Sequence, residues 1–133
     1  MALADLLRRY YASIDGRPLD RAGEWVEDLA GFFADDATIR VVNGRPDGWR
    51  AAFVRDGARL PEIVATTRHE VLNVLEDGDG RVACELAVTY ELKAGGSVTL
   101  PGSVFARVHG ERFTEQHMYV DFAPVFRAAR KGD

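Results

Sequence analysis

The residues of this chain that could do chemistry are few, and most of them lie in its second half. His69 and Asn73 are four positions apart in a strand-like segment, so strict alternation would place both on one face. If that face lines a pocket, His69 is a candidate general acid or base, and otherwise it caps a backbone group at the strand end. Tyr10 and Tyr90 are candidates to orient a ligand carbonyl, and the alternative for both is a place in an aromatic core.

Metal, nucleotide and thiol chemistry are not indicated. The histidines His69, His109 and His117 lack the close spacing of metal ligands, so no metal site is predicted. No glycine-rich phosphate loop follows a strand, and we expect a protein that works without a cofactor. Cys84 is the single cysteine and stands in an apolar run, which is typical of a small core residue rather than of a nucleophile.

Composition and charge favour a globular chain without a nucleic-acid or membrane partner. The net charge is −4 and both signs are mixed along the sequence, so there is no basic face for nucleic acid. The one basic cluster, Arg127, Arg130 and Lys131, is interpreted as a solvated end. No signal peptide or membrane-length apolar stretch is visible, and with a lone cysteine we expect one cytoplasmic domain over residues 1–133.

Apolar residues in the first half recur with a helical period. Apolar positions between Leu3 and Ile14 form one helical stripe, and Gly16 and Pro18 are expected to end that helix. A second helix is predicted from about Asp20 to about Ala34. Residues 37–42 have the pattern of a strand, and a turn-rich segment follows them. A short helix from Trp49 to about Leu60 comes next, and Pro61 is expected to end it.

The second half has the pattern of four long strands joined by short turns. The predicted strands are residues 66–76, 81–92, 97–108 and 112–121. Consecutive hairpins give an antiparallel meander, and helices that precede the strands predict an α+β fold. Gly102 follows Pro101 inside the third strand, which suggests a bulge. Phe105 falls on the face opposite the core positions of that strand and hints at a partner surface.

The order of the elements, together with several short motifs, resembles the nuclear transport factor 2-like superfamily. The motifs are FFADDATIRV at 32–41, the meander sequence that begins HEVLNVLEDGDG at His69, and YVDFAP at 119–124. The stretch from His69 to Asp121 is especially similar to limonene epoxide hydrolases and SnoaL-like polyketide cyclases. The resemblance implies a cone-shaped α+β barrel, with helices packed in a strongly curved antiparallel sheet and a pocket between them. It also implies a homodimer formed through the outer face of the sheet.

The chain departs from the catalytic residues of two enzyme groups that it resembles. Ketosteroid isomerases use a Tyr and two Asp residues, and the corresponding positions hold Tyr10, Val41 and Val104. A valine can neither abstract a proton nor donate a hydrogen bond, so that mechanism is not expected. The five polar positions of the limonene epoxide hydrolases all hold apolar residues here, namely Ile39, Val41, Leu86, Val88 and Met118.

These replacements predict an apolar pocket suited to a polyketide, terpenoid or steroid, and the alternative is a cone filled by its own side chains. Trp49 follows the turn at 43–48, where a pocket mouth would lie, and the alternative for it is to anchor the short helix. The resemblance places Phe33, Val41, Leu86, Val88, Val104 and Met118 in contact with a ligand, and the residues' own types and positions add Tyr90, Trp49 and Asn73 as candidates.

Asp121 ends the last strand and matches the Asp that ends this strand in many relatives. In an apolar pocket its carboxyl group could shuttle protons. Alternation groups it with His117 and Tyr119, on the face opposite Gln116 and Met118, so a structural hydrogen bond or ion pair is the alternative.

The sequence therefore predicts a cofactor-independent, enzyme-like protein that acts on a small apolar metabolite. The candidate reactions are those of a cyclase, isomerase, dehydratase or hydrolase, with His69, Asp121 and Tyr10 as catalytic residues. The alternative is a non-catalytic small-molecule-binding or dimerisation module of the same fold.

Overall fold

The structure is a computed structural model that describes residues 2–54 and 60–131. Helix α1, Leu3–Ile14, contains the whole predicted apolar stripe and ends before Gly16. The second predicted helix is instead three short pieces, a 3-10 turn at Leu19–Arg21, α2 at Ala22–Trp25 and a 3-10 segment at Val26–Phe32. Apolar residues three positions apart in the last piece suit the 3-10 geometry, in which positions i and i+3 lie above one another.

Among the described residues, six strands form one curved, unclosed sheet. The strand bounds are β1 Phe33–Val41, β2 Asp47–Gly48, β3 Val64–Glu76, β4 Arg81–Leu92, β5 Ser97–His109 and β6 Arg112–Val120. The order across the sheet is β2-β1-β6-β5-β4-β3, in which β3 to β6 form the predicted antiparallel meander and β1 lies parallel to β6. The predicted α+β cone, with helices packed in a curved sheet, is confirmed.

The remaining helices differ from the sequence-based expectation. Helix α3 is Trp49–Val54, and the part of the predicted short helix at 55–59 lies outside the described residues. Pro61, predicted to break a helix, lies inside the short helix α4, Leu60–Ile63, because proline is tolerated in a first turn. The basic cluster near the C-terminus belongs to a helix that was not predicted, α5 at Ala123–Lys131.

The inner face of the sheet, which faces the helices, forms the core with α1. In β4 every second residue from Val82 to Tyr90 is buried, as the alternation predicts. Inside the cone the ring of Tyr10 contacts the rings of Tyr11, Phe33 and Phe113, with centroids 4.9 to 5.4 Å apart. Side chains therefore fill the deep part of the cone.

A bulge in β3 reverses one predicted orientation. Val71 pairs with Leu86, but the next paired residues are Val74 and Cys84, so β3 carries one extra residue. As a result Asn73 turns to the outer face, the face away from the helices, where its Nδ2 donates to Glu85 Oε1 at 2.8 Å. The prediction that His69 and Asn73 share a face was therefore wrong, because one inserted residue flips every later side chain.

The β3–β4 turn gives a direct test of the fold. Gly78 and Gly80 both have positive φ, but a Cβ at Gly80 would lie 2.5 Å from the carbonyl oxygen of Val108, whereas one at Gly78 would meet nothing within 4 Å. We expect Gly78→Ala to lower the free energy of unfolding by about 1 kcal/mol, because of its φ alone. Gly80→Ala should lower the free energy of unfolding by roughly 1–3 kcal/mol more than Gly78→Ala does, because the backbone must also shift. Urea unfolding followed by circular dichroism measures both, and equal losses would contradict the close approach.

Candidate functional site

A cleft of about 290 Å³, here called the mouth cleft, opens between the short helical pieces and β1. Two aromatic rings form one wall, since Trp25 and Phe53 meet edge-on with centroids 5.9 Å apart. A mostly apolar wall with a few polar groups is typical of small-molecule sites. The other lining residues are Leu19, Ala22, Ile39, Val41, Gly44, Arg45, Asp47, Ala52, Leu60 and Pro61.

Hydrogen bonds on both sides hold the mouth cleft in shape. Trp25 Nε1 donates to the carbonyl oxygen of Pro18 at 2.9 Å, which fixes the indole. On the β1 side, Arg40 Nε donates to the carbonyl oxygen of Gly44 at 2.8 Å, and the N–H of Val42 donates to the carbonyl oxygen of Met118 at 2.8 Å. The turn that carries Arg45 is therefore hydrogen-bonded to both neighbouring strands, β1 and β6.

A second polar cluster lies where α1 ends against β3. Both carboxylate oxygens of Asp15 accept the backbone N–H of His69 at 3.1 Å, and Oδ1 also lies 2.7 Å from His69 Nδ1. Because a carboxylate only accepts, Nδ1 is the donor in this contact, and in a neutral imidazole the lone pair is then on Nε2. Within the described residues, no hydrogen bond reaches Nε2. The imidazole is thus oriented as in catalytic His–Asp pairs, although its side chain is only 8% exposed.

Tyr11 completes this cluster and was not singled out from the sequence. Its ring stacks on the imidazole of His69 with centroids 4.4 Å apart, and its hydroxyl is buried with no hydrogen-bond partner among the described residues. Burial raises the pKa of Tyr11 well above its ordinary value, and Tyr10, Cys84 and Tyr90 add to the rise. The hydroxyl therefore stays protonated. The apolar periodicity of α1 predicts that Tyr11 is buried, but it does not predict the contact between Tyr11 and His69.

The three predicted catalytic residues do not form one site. Tyr10 is enclosed by aromatic rings, and burial raises the pKa of its hydroxyl while a hydrogen bond with Gln116 lowers it in part. Asp121 is exposed, and its Oδ1 accepts the N–H of Ala123 at 3.0 Å, where it begins α5. Asp121 therefore has the structural role that was its alternative, and of the three only Tyr10 and His69 contact Tyr11.

Most of the predicted ligand-binding residues lie in the packed core, and of that group only Val41 lines the mouth cleft. Trp49 stacks on Phe33 with centroids 4.7 Å apart, so it anchors α3. Met118 is half-buried beside Val41, and Asn73 is on the outer face. The buried core residues of the predicted set are Phe33, Leu86, Val88, Tyr90 and Val104.

The buried polar groups are not suited to nucleophilic chemistry or metal binding. Burial raises the pKa of the Cys84 thiol to about 11 and that of Tyr90 to about 12, so both stay protonated near neutral pH. In the part of the chain that the structure describes, no three His, Cys, Asp or Glu side chains are grouped as metal ligands would be. No helix in that part has the length and apolar character to cross a membrane.

Comparison with known proteins agrees with this geometry. Three solved structures cover nearly the whole chain and share its fold. A hypothetical protein from Catenulispora acidiphila with a ketosteroid isomerase-like fold, solved with trimethylamine, is 19% identical, with a TM-score of 0.70 over 94% of this chain and 92% of that one. A provisionally assigned SnoaL-like polyketide cyclase from Jannaschia sp. CCS1 is 18% identical, with a TM-score of 0.69 over 95% and 90%. A provisionally assigned polyketide cyclase from Xanthomonas campestris pv. campestris is 21% identical, with a TM-score of 0.65 over 95% of both chains.

At these identities the structural matches support the fold and not an activity. No curated protein matches the chain significantly. The family model of the SnoaL-like domain matches residues 7–116, which runs from α1 to the middle of β6 and includes both the mouth cleft and the Asp15–His69 pair. This chain therefore belongs to the SnoaL-like domain family, within the nuclear transport factor 2-like superfamily.

Proposed function

We propose that this chain binds a small, largely apolar molecule in the mouth cleft. The observation that carries the proposal is an open cleft with aromatic walls, Trp25 and Phe53, in a cone whose deep part is filled. Membership of the SnoaL-like family supports a small-molecule-binding or cyclase-type function in general. The volume of about 290 Å³ is near the lower end of the roughly 300–1,000 Å³ typical of ligand sites, which favours a compact ligand of one or two fused rings.

The walls of the mouth cleft also set the expected strength of binding. Each 100 Å² of apolar ligand surface removed from water contributes about 2.5 kcal/mol. The loss of translational and rotational freedom opposes this gain, so we expect dissociation constants on the order of micromolar to millimolar. Arg45 at the rim is exposed, and it therefore adds selectivity for ligand polarity more than affinity.

Filling the mouth cleft tests this proposal. Ala52 lines the cleft, whereas Ala51, its neighbour on α3, is exposed and does not line it. With 1-tetralone as probe, we expect Ala52→Phe to weaken binding at least about tenfold, because the added ring occupies the ligand's volume. Ala51→Phe should bind as the unchanged protein does. Titration followed by tryptophan fluorescence reports on Trp25, and unaltered binding by Ala52→Phe would exclude this cleft as the site.

A second candidate function is acid–base catalysis at His69, and the Asp15–His69 pair is the observation that favours it. The carboxylate lies 2.7 Å from Nδ1 and so holds the imidazole in one orientation, as in catalytic His–Asp pairs. The role proposed for Nε2 is to accept a proton from a carbon beside a carbonyl group, the first step of many isomerisations and cyclisations. The buried hydroxyl of Tyr11, which contacts the imidazole, is a donor that such a carbonyl could use.

Proton exchange tests the catalytic candidate without knowledge of the substrate. We expect the chain to speed the exchange of the α-protons of 1-tetralone with D₂O, and His69→Gln to return the rate to that of buffer. Asp15→Asn should give an intermediate rate, because the imidazole loses its orienting carboxylate, and His117→Gln serves as control. Proton NMR measures the exchange rate. If the unchanged protein gives only the buffer rate, catalysis is excluded and binding remains the proposed function.

We also propose that two copies associate through the outer face of the sheet. Leu75, Phe105 and Tyr119 on this face are 76%, 55% and 43% exposed, which is unusual for large apolar side chains lying close together. Two ion pairs lie beside them within the chain, Arg107 Nε to Glu115 Oε1 at 2.7 Å and Arg81 to Asp77. A face that neutralises its own charges can meet a second copy of itself without like-charge repulsion.

A charge placed at the centre of this face tests the association. Phe105→Asp should shift the chain towards monomer, since each interface would bury two unpaired carboxylates. Val54→Asp is the control, because Val54 is also exposed but lies on α3, away from the outer face. Sedimentation velocity over a dilution series measures the assembly, and an unchanged protein that is monomeric throughout the series would contradict the proposal.

A further inference from the structure

A histidine lies among the exposed aromatic rings of the outer face of the sheet. His117 is half-buried on β6 and pairs directly with Phe105 on β5. Its imidazole contacts the ring of Tyr119 with centroids 4.2 Å apart, and Tyr119 meets Phe105 edge-on with centroids 6.0 Å apart. These three residues are here called the ring cluster. A second copy that covers Phe105 and Tyr119 therefore also covers His117.

The hydrogen bonds of His117 suit a neutral imidazole. Nε2 lies 2.7 Å from the carbonyl oxygen of Val42, and because a carbonyl oxygen only accepts, Nε2 is the donor in this contact. In a neutral imidazole the lone pair is then on Nδ1, which lies 3.1 Å from the hydroxyl oxygen of Tyr119 and can accept its hydrogen. Both ring nitrogens are satisfied within the chain. A partner can therefore cover the neutral ring without breaking a hydrogen bond.

Protonation of this imidazole changes the hydrogen bonds and the charge of the ring cluster. A hydrogen on Nδ1 reverses the contact with Tyr119, whose oxygen must then accept while its own hydrogen turns away from His117. In a two-fold interface the same side chains come from both copies, so covering the face would bury two imidazolium ions. Because a buried charge without a counter-ion is costly, association favours the neutral ring.

The charged groups nearest to His117 do not supply that counter-ion. Across β6 and β5, the carboxylate of Glu115 is already bound by Arg107, with Nε and Oε1 2.7 Å apart. On β1 the register partner of His117 is Arg40, a second cation, whose Nε donates to the carbonyl oxygen of Gly44. Within the described residues, no carboxylate forms a hydrogen bond or an ion pair with His117.

The more distant acidic groups on this side of the sheet are also engaged or too far away. Asp77 and Glu76 line the same surface groove as His117, and Asp77 is bound to Arg81. Glu76 is on β3, three strands from β6, which is about 14 Å at the usual strand spacing. Asp121 follows β6 and accepts a hydrogen bond at the start of α5. An imidazolium ion in the ring cluster would therefore be buried without a partner from its own chain.

We infer that His117 makes the association of two copies depend on pH, because the interface forms with the neutral imidazole and separates when the imidazole is protonated. This inference rests on the proposed association through the outer face. It adds to that proposal the residue that controls the association and the direction of the control. A dimer then binds fewer protons than two monomers, so a fall in pH favours monomers. Imidazole groups ordinarily titrate between about pH 5 and 8, which places the change near neutral pH.

Sedimentation velocity over a dilution series, at about pH 7.5 and about pH 5.5, tests the inference. The dissociation constant of the unchanged dimer should be at least about tenfold higher at the lower pH, because two imidazoles per dimer take up protons on separation. His117→Gln cannot be protonated, and its amide can still donate to the carbonyl oxygen of Val42. Its dissociation constant should therefore be the same at both pH values. His109→Gln is the control, since His109 ends β5 four residues beyond Phe105, and it should keep the pH dependence.

A second variant covers the case in which His117→Gln does not fold, as checked by circular dichroism at both pH values. His117→Phe keeps a ring in the ring cluster and carries no charge, so it should also associate equally at both pH values. If the unchanged protein is monomeric throughout, the proposed association fails and the inference fails with it. If the unchanged protein associates equally at both pH values, or if either variant retains the pH dependence, only the inference is overturned.

Discussion

Tyr10 and Tyr11 are consecutive residues of α1, and both of their rings lie inside the curve of the sheet. Two large side chains on neighbouring positions of one helix occupy much of the volume that the cone encloses, and the rings of Phe33 and Phe113 close around them. Since protein interiors are close-packed, this choice of residues leaves little room for a ligand at depth. The available space lies instead at the mouth, where the chain is divided into short helical pieces.

The same packing explains why unsatisfied polar atoms collect near the centre of the fold. The Tyr11 hydroxyl and the Gln116 amide nitrogen are buried without hydrogen-bond partners among the described residues. An apolar side chain of similar size at either position would avoid the desolvation of these groups.

Much of the fold was predictable from the sequence because its strongest patterns are local. The position of α1 and the bounds of β4 were predicted, since amphipathic periodicity and turn residues specify both. The bulge in β3 was not predictable, because the extra residue depends on pairing with β4 and no residue type in the segment indicates it. Helix α5 was missed for a related reason, as its first turn depends on Asp121, which was considered only for chemistry.

The candidate site was less predictable than the fold. An apolar residue has the same appearance in a sequence whether it contacts a ligand or another side chain, so Val41 and Val88 could not be told apart, although one lines the mouth cleft and the other lies in the core. The partner of His69 is 54 positions away in the chain, at the end of α1, and no spacing rule connects them. Residues that act through tertiary contacts of this kind become visible only when the elements are placed together.

The bulge at Leu72 and Asn73 has a consequence for how this protein behaves among other chains. Strand β3 is thirteen residues long and forms one edge of the sheet. Its exposed Leu72 and Leu75 would favour pairing with another chain if the strand were straight. The irregular pairing twists that border, and Arg68 and Glu70 place charges along it. Twist and charge together make the strand a poor template for strand addition, so the irregularity also guards the fold against edge-to-edge aggregation.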